Sequence, residues 1–236
     1  MAARTADLPE RLGGVLAVVF LVFNEGYLTT GDGDPVRAEL TGEAIRLTRV
    51  LRQLLPEEPE VAGLLGLLLL TEARREARVR NGQLVPLGEQ DRAGWDRVLI
   101  AEGHDLVREC LAINRPGRYQ ILAAINAVHT DAPTVSDTDW SQVVALYDQL
   151  TRHDQSPIVA LNRAVAVAEL DGPKVALSLV DRLPLAGYHA WHVARADMLR
   201  RLGRTAEAKE SYDAAIAATQ NSAERAYLSR KRGELV

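Results

Sequence analysis

The sequence predicts an all-α protein: a right-handed superhelix of antiparallel helix pairs. Three observations predict it. Apolar residues recur at three- and four-residue spacing along almost the whole chain. Alternating runs of β-branched and aromatic residues are absent, and most prolines and glycines fall between the helical runs. The last third of the chain repeats itself at a fixed period.

Taken in order, eleven helices are expected, over 9–25, 36–54, 58–79, 91–113, 117–130, 139–153, 157–170, 173–183, 188–201, 205–218 and 222–234. The first carries RLGGVLAVVFLV, far short of the ~20 apolar residues that span a bilayer. Asp7 and Glu10 stand where a secretion signal has basic residues, and no small-residue cleavage site follows, so the run reads as a buried helix. Gly26 in FNEGY is expected to close that helix as a left-handed cap. Asp34-Pro35 is a cap-and-first-turn pair for the second helix, and Ser156-Pro157 for the seventh. Short polar caps lie at Asp137-Thr-Asp-Trp and Ser222-Ala-Glu-Arg. Asn81-Gly82, with Leu84-Val85 after it, is the one place for a hairpin-like excursion.

The repeat is read by comparing NRAVAVAELDGPKVALSLVDRL with RADMLRRLGRTAEAKESYDAAI. Ala164, Val167, Ala176, Val180 and Leu183 stand 32 residues before Ala196, Leu199, Ala208, Tyr212 and Ala215. Small residues recur where paired helices approach closely, and large ones where neighbouring pairs interlock. A period near ~34 with this pattern is tetratricopeptide-like. The C-terminal half therefore reads as such repeats (116–236), closed by a basic capping helix. The first half (1–115) reads as less regular hairpins bearing FNEGY, EARREAR and QDR.

The charge totals are 28 basic against 32 acidic residues, net −4, so no global basic field attracts DNA or an anionic membrane. A lone cysteine, Cys110, rules out an internal disulfide, fits a reduced cytoplasmic setting, and sits at helical spacing in a core position. His189 and His192 share a helix face but lack a completing ligand. Asp32-Gly33-Asp34 lacks the rest of a calcium loop. No nucleophile elbow, P-loop or dinucleotide fingerprint is present, and no cofactor is expected.

The polar residues that stand out are Asn24, Glu25 and Tyr27 of FNEGY, then Arg74 and Arg78, then Gln90, Asp91, Arg92 and Trp95. Tyr119 and Gln120 open a mixed helix. Glu25 admits three readings: a helix end, a catalytic acid, or part of an internal docking surface. The favoured expectation pairs it with Arg74, Arg78 or Arg92, making FNEGY a polar clasp. The same residues, around Glu25, Arg74, Asp91 and Trp95, can also frame a small-ligand pocket.

The motifs FNEGY, EAIRLTRVL, EVAGLLGLLLLTEARREAR, GEQDRAGWDRVLIAEG, GRYQILAAINAVH, TDW and SPIVALNRAVAVAE follow in that order. In this order the chain resembles, over nearly its whole length, the tetratricopeptide-like (DUF6596-type) C-terminal extension of extracytoplasmic-function (ECF) RNA polymerase sigma factors. The resemblance adds Arg46, Asn162 and Arg163, with Gly26 and Asp96, to the motif positions named above. It implies a non-enzymatic regulatory module without the two sigma domains, and no direct DNA binding. The implied partners are the sigma domains of the same polypeptide, core RNA polymerase, and a small YCII-related (DGPF-type) protein. No membrane contact is implied.

Overall fold

The computed structural model describes residues 8–27, 37–80 and 83–235, with side chains from residue 11 onward. Among them the chain is almost entirely helical. Twelve α-helices run α1 (Leu8–Tyr27), α2 (Ala38–Leu54), α3 (Pro59–Glu72), α4 (Arg75–Arg78), α5 (Arg97–Ile113), α6 (Arg118–Asp131), α7 (Trp140–Leu150), α8 (Pro157–Leu170), α9 (Pro173–Val180), α10 (His189–Arg201), α11 (Thr205–Ala218) and α12 (Ser222–Gly233). Within the first unit α1 packs on α2 and α2 on α3; within the second, each helix from α7 to α11 packs on the next. Among the described residues no helix is long and apolar enough to cross a membrane.

Two compact units emerge. The first takes the described residues up to Glu76 together with Ala93–Ala127. The second takes Ala77–Arg92 with the described residues from Val128 on. The division differs from a cut after residue 115 for local reasons. The start of α6 is bonded to α3 through Glu60. Residues 83–89 are tied to α12, where Arg230 donates to Gln83 and Lys231 lies 3.2 Å from Glu89.

In the first unit α3 is buried on nearly every side, from Val61 to Leu70. A helix apolar all round belongs at the centre of its unit, and α1, α2 and α5 pack around it. α1 itself is not the wholly buried helix expected. Leu16, Val19 and Phe23 face the core, while Val15, Val18 and Leu21 on its other side stay open to solvent. Gly26 does not cap α1 either, because the helix runs on to Tyr27. Its carbonyl accepts from the Arg37 amide at 2.7 Å, and a Cβ there would sit 2.8 Å from Arg37 O and Thr41 N. Gly26 thus lets the start of α2 cross α1 at backbone contact.

Two predicted helices are shorter than periodicity implied. The run 58–79 breaks after Glu72, because the carbonyl of Ala73 is taken by the amide of Asp96 at 2.9 Å. Arg74 stands in the turn between the two helices, and Arg78 ends the short helix α4. The run 91–113 begins only at Arg97, where the Asp96 side chain accepts from Val98 N and Leu99 N. Between them, Val79 pairs with Leu84 and Arg80 with Gln83, the expected hairpin excursion. The Asn81-Gly82 turn, the Asp34-Pro35 cap and Asp32-Gly33-Asp34 lie outside the described residues.

In the second unit nine of the ten repeat positions are buried, and Leu183 is half-buried. Ala164, Ala176, Ala196, Ala208 and Ala215 are all buried, as are Val167, Val180, Leu199 and Tyr212. Ser156 caps α8 through Ile158 N as expected, and Asp139 caps α7. At α12 the cap is Asn221, one residue before the expected start. Gly203 has a left-handed φ of 71°. The Arg204 amide there returns to Leu199 O, and the Gly203 amide to Arg200 O, which closes α10 and turns the chain into α11.

Candidate functional site

Polar groups concentrate in the first unit at the ends of α3. At its start, Glu60 accepts from the Tyr119 and Gln120 amides at 3.1 and 3.2 Å and from Gln120 Nε2 at 3.1 Å. Gln120 also donates to Arg115 O, and Tyr119 packs edge-on to Phe20. Both residues are buried, so they knit α3 to α6 and do not open a surface. At the other end Glu72 is buried and accepts from Arg75 at 2.6 Å and Thr41 at 3.2 Å. Burial raises its carboxyl pKa, and the charge of Arg75 opposes the rise. Arg74, also buried, donates to Asn126 Oδ1 at 2.8 Å.

The remaining first-unit candidates are spread out. Trp95 is buried beside the Asp96 cap. Asn24 is exposed, Glu25 is half-buried, and Tyr27 stacks on Phe23 at 5.9 Å. Arg46 is exposed and forks onto Glu43 of its own helix at 2.7 and 2.8 Å. The outward side of α1 is a second surface of note, with Val18 60% and Leu21 65% exposed and Val15 beside them. Apolar side chains three residues apart form one stripe on a helix.

In the second unit, Arg92 spans the end of α6 and the loop beyond it. Its Nη1 donates to the carbonyls of His129 and Ala132, each at 2.6 Å. Gln90 is buried and donates to Val85 O, Asp91 is exposed, and Arg78 is half-buried in α4. Arg163 bonds Asp148 at 2.6 Å, locking α8 to α7. Asn162 points the other way. It lines a cavity of about 410 Å³ together with Arg92, His129, Trp140 and Tyr147. Trp140 meets the His129 ring edge-on at 5.3 Å. Burial pushes the Tyr147 hydroxyl up to about 12, so it stays protonated as a donor.

A second cavity, about 540 Å³, shares Asn162, Val165 and Glu169 with the first and extends along α10 to Asp197 and Tyr227. Of the motif positions, Arg92 and Asn162 line the first cavity together, with Val165, Glu169 and Trp140 beside them, and Asp197 and Tyr227 line the second. Asn162, Val165 and Glu169 are three and four residues apart and exposed on one face of α8, and that spacing is the signal that could have marked them. His189 and His192 take separate partners: His189 lies 3.4 Å from Glu224, and His192 bonds the Ala186 carbonyl. The site offers an apolar wall, aromatic edges, one open amide and several carboxylates, which is the chemistry of binding.

Residues 11–111 match the model of a protein family described as a family of unknown function, DUF6596. No solved structure matches the chain. The chain is 45% identical over 225 residues to a Rhizobium meliloti (strain 1021) protein described as uncharacterized protein R00370. The aligned region covers 94% of this chain and 53% of that protein, so the chain spans about half the length of the curated relative it matches.

Proposed function

We propose that this chain is a non-enzymatic, regulatory docking module of an ECF-type RNA polymerase sigma factor, acting in the cytoplasm. Its architecture is proposed to be a right-handed superhelix, tetratricopeptide-like in the second unit. The observation that carries the reading is the open apolar stripe of α1, Val15, Val18 and Leu21. Exposed apolar stripes of this kind mark surfaces that another chain or domain covers. The curated relative is about twice as long as this chain, which supplies a further segment to cover it. The ordered motifs from FNEGY to LNRAVAVAE, with their resemblance to the sigma-factor extension, support the sigma-factor assignment. Sigma domains and core polymerase are the proposed partners, with a small YCII-related (DGPF-type) protein as a further one.

The test is Val18→Asp with Leu21→Asp in the full-length protein. Both side chains are exposed, so thermal stability should hold. Co-purification with core polymerase, or transcription from the cognate promoter, should change. If both are unchanged, the docking reading falls. Glu25 closing onto Arg74 within the first unit belongs to the same proposal. A Glu25→Gln, Arg74→Gln double-mutant cycle with coupling below about 0.5 kcal/mol would overturn that part.

A further inference from the structure

The two cavities of the second unit are two ends of one trough. They share Asn162, Val165 and Glu169 of α8 on one wall and Pro86 and Gly88 on the other. The ends differ in chemistry. The larger end is lined by Glu89, Glu169, Asp197 and Glu224 against the single guanidinium of Arg201. Lys231, Arg200 and His189, which pair with Glu89, Asp197 and Glu224, stand outside that lining. Glu89 and Glu169 each engage their cation through one oxygen, leaving acceptor capacity on the other. The smaller end has aromatic walls, Trp140 and Tyr147. Between them Asn162 is exposed, and its amide makes no hydrogen bond to another described residue. A free amide offers both a donor and an acceptor, the pair that an extended peptide backbone needs.

We propose that this trough takes a short basic, amphipathic peptide segment of a partner protein. An aromatic or large aliphatic anchor sits beside Trp140 and Tyr147. The backbone runs against Asn162 over Val165. Arg or Lys side chains enter among Glu89, Glu169 and Asp197, where a guanidinium fork can bond a carboxylate bidentately. A purely apolar ligand would leave the larger end with nothing but water. The trough takes such a segment whether or not α1 docks sigma domains.

The experiment measures fluorescence anisotropy of short peptides that combine Trp or Leu with Arg or Lys in varied order, each against a counterpart carrying Glu at the basic positions. Basic peptides are expected to bind saturably and to weaken as salt rises. Glu169→Lys should weaken them about tenfold. Glu210→Lys, the same charge change on an exposed position of α11 outside the trough, should leave binding unaltered. Asn162→Ala, which removes no described hydrogen bond, should weaken binding in a chain that melts like the parent. Equal binding of acidic counterparts, equal losses from Glu169→Lys and Glu210→Lys, or no saturable binding of any basic peptide would each overturn the proposal. If the α1 substitutions abolish polymerase association while basic peptides fail to bind, the sigma-factor reading stands and the trough's occupant falls. If basic peptides bind while the α1 substitutions change nothing, the trough's occupant stands and the docking reading falls.

Discussion

Glu60, in the first turn of α3, holds the first turn of α6: its carboxylate accepts from the backbone amides of Tyr119 and Gln120. An anion placed on unpaired amides at a helix N-terminus is stabilised by both the hydrogen bonds and the helix dipole. Glu60→Ala is therefore expected to cost about 2 kcal/mol in urea unfolding, and Glu60→Gln less, since the amide oxygen still accepts. An unchanged midpoint for the alanine variant would mean that water serves those amides equally well.

The crossing of α1 and α2 makes a sharper demand. A methyl group at Gly26 meets backbone atoms of Arg37 and Thr41, which have no rotamer to yield, whereas one at Gly42 meets nothing within 4 Å. Gly26→Ala should lower stability by about 2 kcal/mol or more. Gly42→Ala, inside α2 and exposed, should raise it by about 0.5–1 kcal/mol through helix propensity. Thermal melts of the two variants shifting in the same direction would refute the close crossing.

His189 and Glu224 join the starts of α10 and α12 across 3.4 Å. The hydrogen bond that His189 donates to the Glu224 carboxylate raises the His189 pKa above its ordinary 6.5. Burial alone would raise Glu224, but the bonds from His189 and Thr219 outweigh it, and its carboxyl lies below the ordinary 4.5. A raised histidine stabilises the fold below 6.5 and ceases to as pH climbs through its folded value. A lowered carboxyl stabilises above 4.5 and ceases to as pH falls through its folded value. The pair contributes most between those two figures. His189→Gln should therefore depress the unfolding midpoint most near about pH 5.5 and little above about pH 8. A deficit independent of pH would leave His189 with packing alone.

Cys110 is buried against the Pro59 carbonyl, and burial pushes its thiol up to about 11. Thiolate is the reactive form, so a disulfide reagent should modify the native chain slowly and the urea-unfolded chain at the rate of an ordinary thiol. Rapid modification of the native chain at neutral pH would contradict the burial.

Much of this fold was legible because helical punctuation is local. Ser156-Pro157 starts α8 where read, and the ranges 157–170 and 205–218 coincide with the helices found. Four of the five 32-residue equivalences survive as pairs of buried positions; in the fifth, Leu183 is half-buried and Ala215 buried. What failed was non-local. TEARREAR has strong helix propensity throughout, yet α3 stops because Asp96 claims the Ala73 carbonyl and Arg74 turns to Asn126. Gly26 reads as a stop in sequence, and only its neighbours in α2 show it to be a crossing point. The trough was half visible. Arg92 and Asn162 stood out by motif, whereas Val165 and Tyr227 look like core residues until the open faces of α8 and α12 are known.

The interleaving of the two units bears on synthesis. The chain leaves the first unit after Glu76, returns at Ala93 and leaves again after Ala127. Glu60 emerges from the ribosome long before the amides of Tyr119 and Gln120 that it serves. At about 5–20 residues per second, the apolar α3 must wait several seconds for its last partners. Neither unit can be excised as one continuous piece of gene, so truncation between Glu76 and Ala127 leaves the first unit short of α5 or α6 and the second short of its remainder. The nascent chain, more than the finished one, is where this sequence is most exposed to aggregation.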